Sequence, residues 1–267
     1  MRKYVIDNDL HIHSHISLCS NNPEQTNERI LEYAEKEGIK TLCLTNHFWD
    51  EAVAGASEWY QKQNSEHILA AKPLPERDGI KFLFGCETEL DKFMTLGLSR
   101  EKFDLFDFIV IPITHMHLRG FTVFEEDVVD ARAKANAWVK RLDAVLSMDL
   151  PFHKIGLAHL TCIHIARHSR EEYLETLRLI SDEDLIGLFT RAAKLGVGIE
   201  LNSVDMGYED DEADTVLRIY RFAKACGCKF YLASDAHHPN AFERAPERFA
   251  RAIDALELTE SDKFRIN

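Results

Sequence analysis

The sequence predicts an α/β fold in which seven parallel strands alternate with helices and close into a barrel. Short apolar runs repeatedly precede longer segments with helical spacing, and this alternation is typical of parallel βα units. No proline- or serine-rich linker interrupts the 267 residues, so we predict one domain spanning residues 1–267. An open doubly wound sheet would give the same alternation. The barrel is favoured because polar side chains follow nearly all of the strands, and barrel active sites form at that end.

The predicted strands are short and apolar, whereas the predicted helices are longer and amphipathic. Strands are expected at residues 4–6 leading into 9–11, and at 41–45, 80–84, 108–111, 155–158, 197–201 and 230–233. The run at 108–111 is continuously apolar, as expected for a parallel strand covered on both faces. Helices are expected at 28–34 before Gly38, around 57–71, from 125 to about 148, from Ser181 to Gly196 and over roughly 213–225.

Composition limits the classes of protein that this chain can be. Hydrophobic residues make up 45% and charged residues 29%, which excludes disorder, collagen and a disulfide-stapled miniprotein. The net charge of −13 is the wrong sign for general binding to nucleic acid or an anionic membrane. No signal peptide, membrane span or paired-cysteine pattern is visible, so the six cysteines are expected to be reduced and the protein cytoplasmic.

Histidines and carboxylates follow the predicted strands where a barrel gathers its active-site side chains. His11 and His13 are two residues apart, so a regular strand places both imidazoles on one face. One such pair is weak evidence, since a chain this rich in histidine contains roughly 0.6 of them by chance. Chance does not readily explain the whole series, which comprises His11 with His13, Asn46-His47, Glu87, Thr114-His115, His159, Glu200 with Asn202, and Asp235 with His237.

This series resembles the PHP (polymerase and histidinol phosphatase) family, metal-dependent phosphoesterases built on a distorted (β/α)7 barrel. The resemblance runs from Asp9 to about Pro239 and is strongest in two motifs, DLHIHS at 9–14 and SDAH at 234–237. It implies a first metal held by His11, His13, Glu87 and Asp235. It implies a second metal held by Glu87 as a bridging ligand with His115 and His159. A third metal, in members that have it, would be held by His47, His237 and a further residue after the first strand.

Two positions leave alternatives open. Cys19 stands where the family pattern has the third metal's first-strand histidine, and it is either a thiolate ligand or a small packing residue. His15 is the nearest substitute. His115 and His117 compete for one ligand position, and the spacing from the strand favours His115.

The predicted activity is hydrolysis of a small phosphomonoester by a metal-bridged hydroxide, for example as a histidinol-phosphate phosphatase. Mixed imidazole and carboxylate ligands suit zinc, manganese or iron, so two or three such divalent ions are the expected cofactors. The residues expected to take part in catalysis are Glu87, Asp235 and His237. The residues expected to contact the substrate are Arg119, Arg167, His168 and His15.

Two other functions are weighed against this one. A phosphodiesterase or exonuclease would need a basic or aromatic track to its site, and no lysine or arginine cluster lies near the ligand loops. A non-catalytic metal-binding regulatory module would leave no coordination position for water, whereas each predicted ion here has only two or three ligands besides Glu87. Residues 48–74, with Trp49, Trp59 and Tyr60, are expected to form a lid or specificity loop.

Overall fold

The computed structural model describes residues 2–20 and 22–266 and contains nine short strands and eight α-helices in that part of the chain. The strands are β1 (Asn8–Ile12), β2 (Thr41–Leu44), β3 (His47–Phe48), β4 (Lys81–Phe84), β5 (Cys86–Thr88), β6 (Ile109–Pro112), β7 (Ile155–Ala158), β8 (Gly198–Asn202) and β9 (Lys229–Ala233). The helices are α1 (Asn27–Glu37), α2 (Glu58–Gln61), α3 (Ser65–Leu69), α4 (Ala131–Leu146), α5 (Arg170–Leu179), α6 (Asp182–Leu195), α7 (Ala213–Ala225) and α8 (Ala245–Ala255).

All of the pairings between these strands are parallel, in the orders β1-β2-β4 and β3-β5-β6-β7-β8-β9. Strands β2 and β3 are separated by two residues and β4 and β5 by one, so each pair is a single bent strand that passes from one sheet to the other. The nine segments therefore correspond to the seven strands expected from the sequence. The α/β fold with parallel strands is confirmed.

Backbone contacts between the first and last strands bring the two sheet edges together. The amide of Asp235 donates to the carbonyl of His11 at 2.8 Å, and the amide of His13 donates to the carbonyl of Ala236 at 3.1 Å. Ile12 and Ala236 form a parallel bridge between these hydrogen bonds. The circuit of strands thus closes beside the residues that follow β1 and β9, as a barrel requires.

Gly85 allows the bent strand to pass between the sheets. A Cβ atom at this position would lie 2.7 Å from the Sγ atom of Cys43 and would also collide with the carbonyl oxygen of Phe108. A side chain therefore cannot be accommodated where β4 ends and β5 begins. The bend places Glu87, at the centre of β5, inside the barrel mouth, where it is 1% exposed.

Several predicted helix boundaries agree with the structure. Helix α1 ends at Gly38, which adopts a φ of 73°. The Oγ atom of Ser181 accepts a hydrogen bond from the amide of Asp184 at the start of α6, and this helix ends at Gly196 with a φ of 76°. The cap residues therefore mark helix ends in this sequence reliably.

Three sequence predictions need correction. Residues 4–6 do not form a strand; the Tyr4 amide donates to the Leu258 carbonyl and its hydroxyl to the Phe230 carbonyl, so this apolar run packs under the barrel. The expected helix at 57–71 is broken into α2 and α3. The expected helix from 125 to 148 consists of a short 3-10 helix (Glu125–Val128) and α4, because the side chain of Asp130 starts a new helix by capping the amide of Ala133.

Within residues 2–20 and 22–266, no helix is both long enough and apolar enough to span a lipid bilayer.

Candidate metal centre

Glu87 is surrounded by imidazole rings on the side of its Oε2 atom. This oxygen lies 3.0 Å from Nδ1 of His47, 3.3 Å from Nε2 of His13 and 3.5 Å from Nε2 of His11. The alternation of β1 and its continuation presents His11 and His13 on one face, as the sequence predicts, and their Nε2 atoms are 3.1 Å apart. Two strands, β1 with its continuation and β3, thus direct three ring nitrogens at one carboxylate oxygen.

The other oxygen of Glu87 faces a second group of rings. Its Oε1 atom lies 3.6 Å from Nε2 of His159 and 4.0 Å from Nε2 of His115. This Oε1 atom is buried and has no hydrogen-bond partner among the described residues. The two oxygens of one carboxylate therefore separate two sets of nitrogen donors, as a bridging ligand does.

Asp235, two residues after the end of β9, completes the cluster. Its Oδ1 atom lies 3.3 Å from Nε2 of His13 and 3.6 Å from Nε2 of His11, and its Oδ2 atom lies 3.6 Å from Nε2 of His159. Asp235 and His159 both have positive φ angles, 51° and 58°, which are uncommon for residues other than glycine. The chain is thus strained just after β7 and just after β9, at the residues whose side chains enter the site. Such strain is associated with functional positions.

The charges of this cluster compensate one another. Burial alone would raise the pKa of the Glu87 carboxyl, but the facing imidazoles of His47 and His11 hold it well below its usual range. Burial likewise opposes ionisation of Asp235, and His11 and His237 lower its pKa well below the ordinary value. Both carboxylates are therefore ionised at neutral pH, as metal ligands must be.

The donor set fits transition-metal ions. Oδ1 of Asp235, like Oε1 of Glu87, is buried and has no hydrogen-bond partner among the described residues. Ligand atoms of His11, His13 and Asp235 lie within 4.8 Å of one another, and so do those of His11, Glu87 and His159. Unpaired buried carboxylate oxygens facing ring nitrogens are costly unless a cation binds between them. Nitrogen and oxygen donors together suit zinc, manganese or iron.

Carboxylates behind the histidines orient two of the rings. Oε1 of Glu200 lies 2.6 Å from Nδ1 of His11, and Oε2 of Glu89 lies 2.8 Å from Nδ1 of His115. In each case the Nδ1–H donates outward and the Nε2 atom is left to face Glu87, the arrangement found behind metal-bound histidines. Glu200 belongs to the strand-end series that the sequence predicts, but Glu89 does not. Its position two residues after Glu87, on the same face of the extended chain, is the signal that could have identified it.

Arg141 connects Glu89, which orients His115, to the protein core. Its fully buried guanidinium donates to Oε1 of Glu89 at 3.1 Å and to the backbone carbonyls of Ile113, Thr122 and Leu90 at 2.6–3.0 Å. Arg141 could not be predicted from the sequence, because one arginine within an amphipathic helix gives no signal of burial.

A further cluster lies beside the first. Ligand atoms of Cys19, His13, His47 and His237 lie within 4.8 Å of one another. His47, His237 and the position of Cys19 are where the family resemblance places a third metal, whereas it assigns His13 to the first. Cys19 is an exposed residue. Desolvation of its thiol by the surrounding protein would raise the pKa, but the positive potential of His47 and His13 outweighs this effect and lowers the pKa to about 2. A thiolate among imidazoles is a good zinc ligand.

The Cys19→Ser variant tests this cluster directly. We expect it to lose about one zinc ion per chain and to lose activity in parallel, because a hydroxyl is a much poorer zinc ligand than a thiolate. Zinc content is measured by mass spectrometry of metal-loaded protein. The matched control is Cys226→Ser, since Cys226 lies at the C-terminal end of α7. Unchanged zinc content in Cys19→Ser would show that Cys19 is not a metal ligand.

Of the other residues predicted to form the site, some lie at the cluster and some lie elsewhere. His115, and not His117, faces Glu87; His117 instead lies against His164, with ring centroids 4.0 Å apart. His15 is exposed and does not line the cavity above the cluster. Arg119, Arg167 and His168 line a separate, adjoining cavity.

The cavity above the cluster has a volume of about 490 Å³. Trp59 and Tyr60 line one side of it, and the hydroxyl of Tyr60 lies 3.3 Å from Nδ1 of His47. Trp49 is buried in the core with 1% exposure. Residues from the segment expected to form a lid or specificity loop thus contribute a wall of the cavity.

Comparisons with known proteins bear on the fold and the family of this chain. Residues 9–203 match the family model of the PHP domain. Histidinol phosphate phosphatase from Lactococcus lactis, solved with zinc, L-histidinol and phosphate, has a TM-score of 0.58 and 17% identity, covering 93% of this chain and 94% of that one. A Listeria monocytogenes protein named as a histidinol phosphatase has a TM-score of 0.62 and 13% identity, covering 91% and 100%. At these identities the similarity establishes the fold.

No curated protein sequence matches the chain significantly. The family model nevertheless covers well over half of the chain and includes most of the residues around Glu87. The chain therefore belongs to the PHP domain family, a family of metal-dependent phosphoesterases.

Proposed function

We propose that this protein hydrolyses a small phosphomonoester in the cavity above Glu87. The observation that carries the proposal is the position of Glu87, whose two carboxylate oxygens face two separate groups of imidazoles at the floor of an open cavity. When bound, two metals at such a site supply Lewis acidity and a water molecule that ionises near neutral pH. The ligands proposed for them are His11, His13, Glu87, His115, His159 and Asp235, with Cys19, His47 and His237 for a third ion.

The protein's own residues prepare this site in two ways. Glu200 and Glu89 hold the Nδ1 protons of His11 and His115, so that the Nε2 atoms are free to bind metal. The buried donors are also fixed before any ligand binds, because each of them leaves a barrel strand or the turn that follows it. Asp235 and His237 are proposed to act with Glu87 in catalysis, since all three line the cavity.

The features of the cavity favour a small phosphomonoester over a nucleic-acid substrate or a purely structural metal site. Among the described residues no lysine or arginine lines it. Contrary to the expectation from the sequence, three cations lie nearby, but Arg119, Lys134 and Arg167 are confined to one small adjoining cavity of about 260 Å³ and do not form the extended basic track that a nucleic-acid strand requires. The volume of the cavity above Glu87 suits a small molecule. It is also open above the ligand atoms, which favours catalysis over a purely structural metal site.

A substrate panel tests the proposal. The zinc-, manganese- and iron-loaded protein is assayed with a series of phosphomonoesters, beginning with histidinol phosphate because the Lactococcus lactis protein is named for it. Phosphodiesters and single-stranded oligonucleotides form the comparison arm. We expect turnover of at least one monoester with much lower activity on diesters. Preferential cleavage of diesters, or no hydrolysis with any metal, would contradict the proposal.

The whole chain, residues 1–267, is proposed to serve as one catalytic domain. Residues near the two ends of the chain are joined beneath the barrel, since the Tyr4 amide donates to the Leu258 carbonyl and Lys3 pairs with Thr259. Removal of either end would therefore expose part of the barrel core.

A further inference from the structure

A second cavity adjoins the one above Glu87 and has a very different lining. The larger cavity contains no lysine or arginine in its walls, as far as the described residues form them. The smaller one, of about 260 Å³, is lined by three cationic side chains and one acidic side chain, together with histidines and apolar residues. The cations are Arg119, Lys134 and Arg167, and the acid is Glu172. The positive charge near the site is thus concentrated beside the metal ligands instead of above them.

Two histidines form the boundary between the cavities. His117 and His164 line both of them, and their rings lie 4.0 Å apart with an interplanar angle of 31°. The Nδ1 atom of each ring is buried and has no hydrogen-bond partner among the described residues. A molecule that extends from the larger cavity into the smaller one would therefore pass unsatisfied polar atoms, which it can satisfy.

Only part of the positive charge in the smaller cavity is neutralised. Lys134 is paired with Glu172, and Arg119 is paired with Glu125 at 3.2 Å. Arg167 makes no ion pair or side-chain hydrogen bond with any residue in the described part of the chain. Arg167 is therefore available to bind an anion from outside the chain.

We propose that this smaller cavity, the Arg167 subsite, binds a second phosphoryl group of the substrate. The inference rests on the proposed function, because it requires the reacting phosphoryl group to lie above Glu87. The planar guanidinium of Arg167 matches two oxygens of a phosphoryl group, and nearby His168 offers a further donor. The preferred substrates are then small molecules that carry two phosphoryl groups, one on each side of the His117–His164 boundary.

A ladder of simple synthetic esters tests this subsite. The substrates are α,ω-alkanediol bisphosphates of three to eight carbons and the alkyl monophosphates of the same lengths. We expect kcat/KM for the bisphosphates to pass through a maximum at one length, where it exceeds that of the matched monophosphate. In Arg167→Gln the ratio of the two kcat/KM values should fall about tenfold or more, because a charge-assisted hydrogen-bond pair is lost.

The control variant is Arg178→Gln, which removes an exposed arginine farther along α5 that does not line the cavity. This variant should keep the wild-type ratio. Calorimetric binding of the corresponding alkane bisphosphonates and monophosphonates gives a second readout that does not depend on turnover. There too Arg167→Gln should reduce the advantage of two phosphoryl groups.

The outcomes separate this inference from the function on which it rests. If monophosphates are hydrolysed but bisphosphates of every length show no advantage, the Arg167 subsite is wrong and the proposed function stands. The same holds if Arg167→Gln lowers both kcat/KM values equally, since Arg167 would then bind the reacting group. Absence of hydrolysis of every ester would overturn the proposed function and this inference with it.

Discussion

Replacing Glu87 with alanine is expected to abolish hydrolysis and to remove metal from two sites at once. Its Oε2 and Oε1 atoms face separate groups of histidines at 3.0–3.5 Å and 3.6–4.0 Å, so one substitution removes a ligand from both. Loss of a residue that merely orients a ligand costs about 10–100-fold in affinity or activity, and loss of a shared ligand should cost more than that. Activity and metal content are measured on the same preparations.

Two variants make this result interpretable. Glu101→Ala removes an exposed glutamate and should leave both activity and metal content at wild-type values. Glu87→Gln preserves the volume of the side chain and its place in β5. A loss of metal in this variant would therefore be due to the missing charge and not to a packing defect. Turnover retained by Glu87→Ala would exclude a bridging role for Glu87.

The Arg141→Met variant is expected to lower the free energy of unfolding by about 3–5 kcal/mol, the cost of leaving one partner of a buried ion pair unpaired. Arg141 is fully buried and donates to Glu89 and to three backbone carbonyls, none of which methionine can satisfy. We also expect weaker metal binding, since Glu89 would no longer be fixed behind His115. Urea denaturation of the metal-free protein and metal titration measure the two effects.

The adjacent Lys140 provides the control, because it is exposed on the same helix. Lys140→Met should change stability by less than about 0.5 kcal/mol. Combining Arg141→Met with Glu89→Gln removes the unpaired charge and should recover part of the lost stability. If Arg141→Met changed the free energy of unfolding by less than about 1 kcal/mol, an effect close to that of a surface substitution, a structural role for the buried Arg141 would be contradicted.

The features that could be predicted from the sequence are those that depend on local pattern. Apolar runs identified six of the seven barrel strands closely, because parallel strands covered on both faces have few polar residues. The first strand was placed too early, since residues 4–6 are apolar for a different reason: Tyr4 packs against Phe230 and Leu258, which are distant in the chain. Apolar character reports burial and does not by itself report strand pairing.

In the candidate site, too, the features set by local sequence could be predicted and those set by long-range contacts could not. Side chains at strand ends were predictable because parallel strands bring their carboxyl ends together, and the structure gathers His11, His13, Glu87, His159 and Asp235 there. The long-range contact from Arg141 on α4 to Glu89 after β5 has no counterpart in local sequence. The separation of Arg167 from the cavity above Glu87 likewise depends on how the loop after β7 folds around His164.

Anomalous diffraction from crystals of protein purified without chelators tests the central claim most directly. Data are collected at the zinc, manganese and iron absorption edges, so that each ion is located and identified. We predict at least two ions, each within about 2.2 Å of one carboxylate oxygen of Glu87, the usual length of a zinc–carboxylate bond. His11, His13 and Asp235 should surround one ion, and His115 and His159 the other. Fewer than two ions, or ions that do not contact Glu87, would contradict the assignment of this cluster as a carboxylate-bridged metal centre.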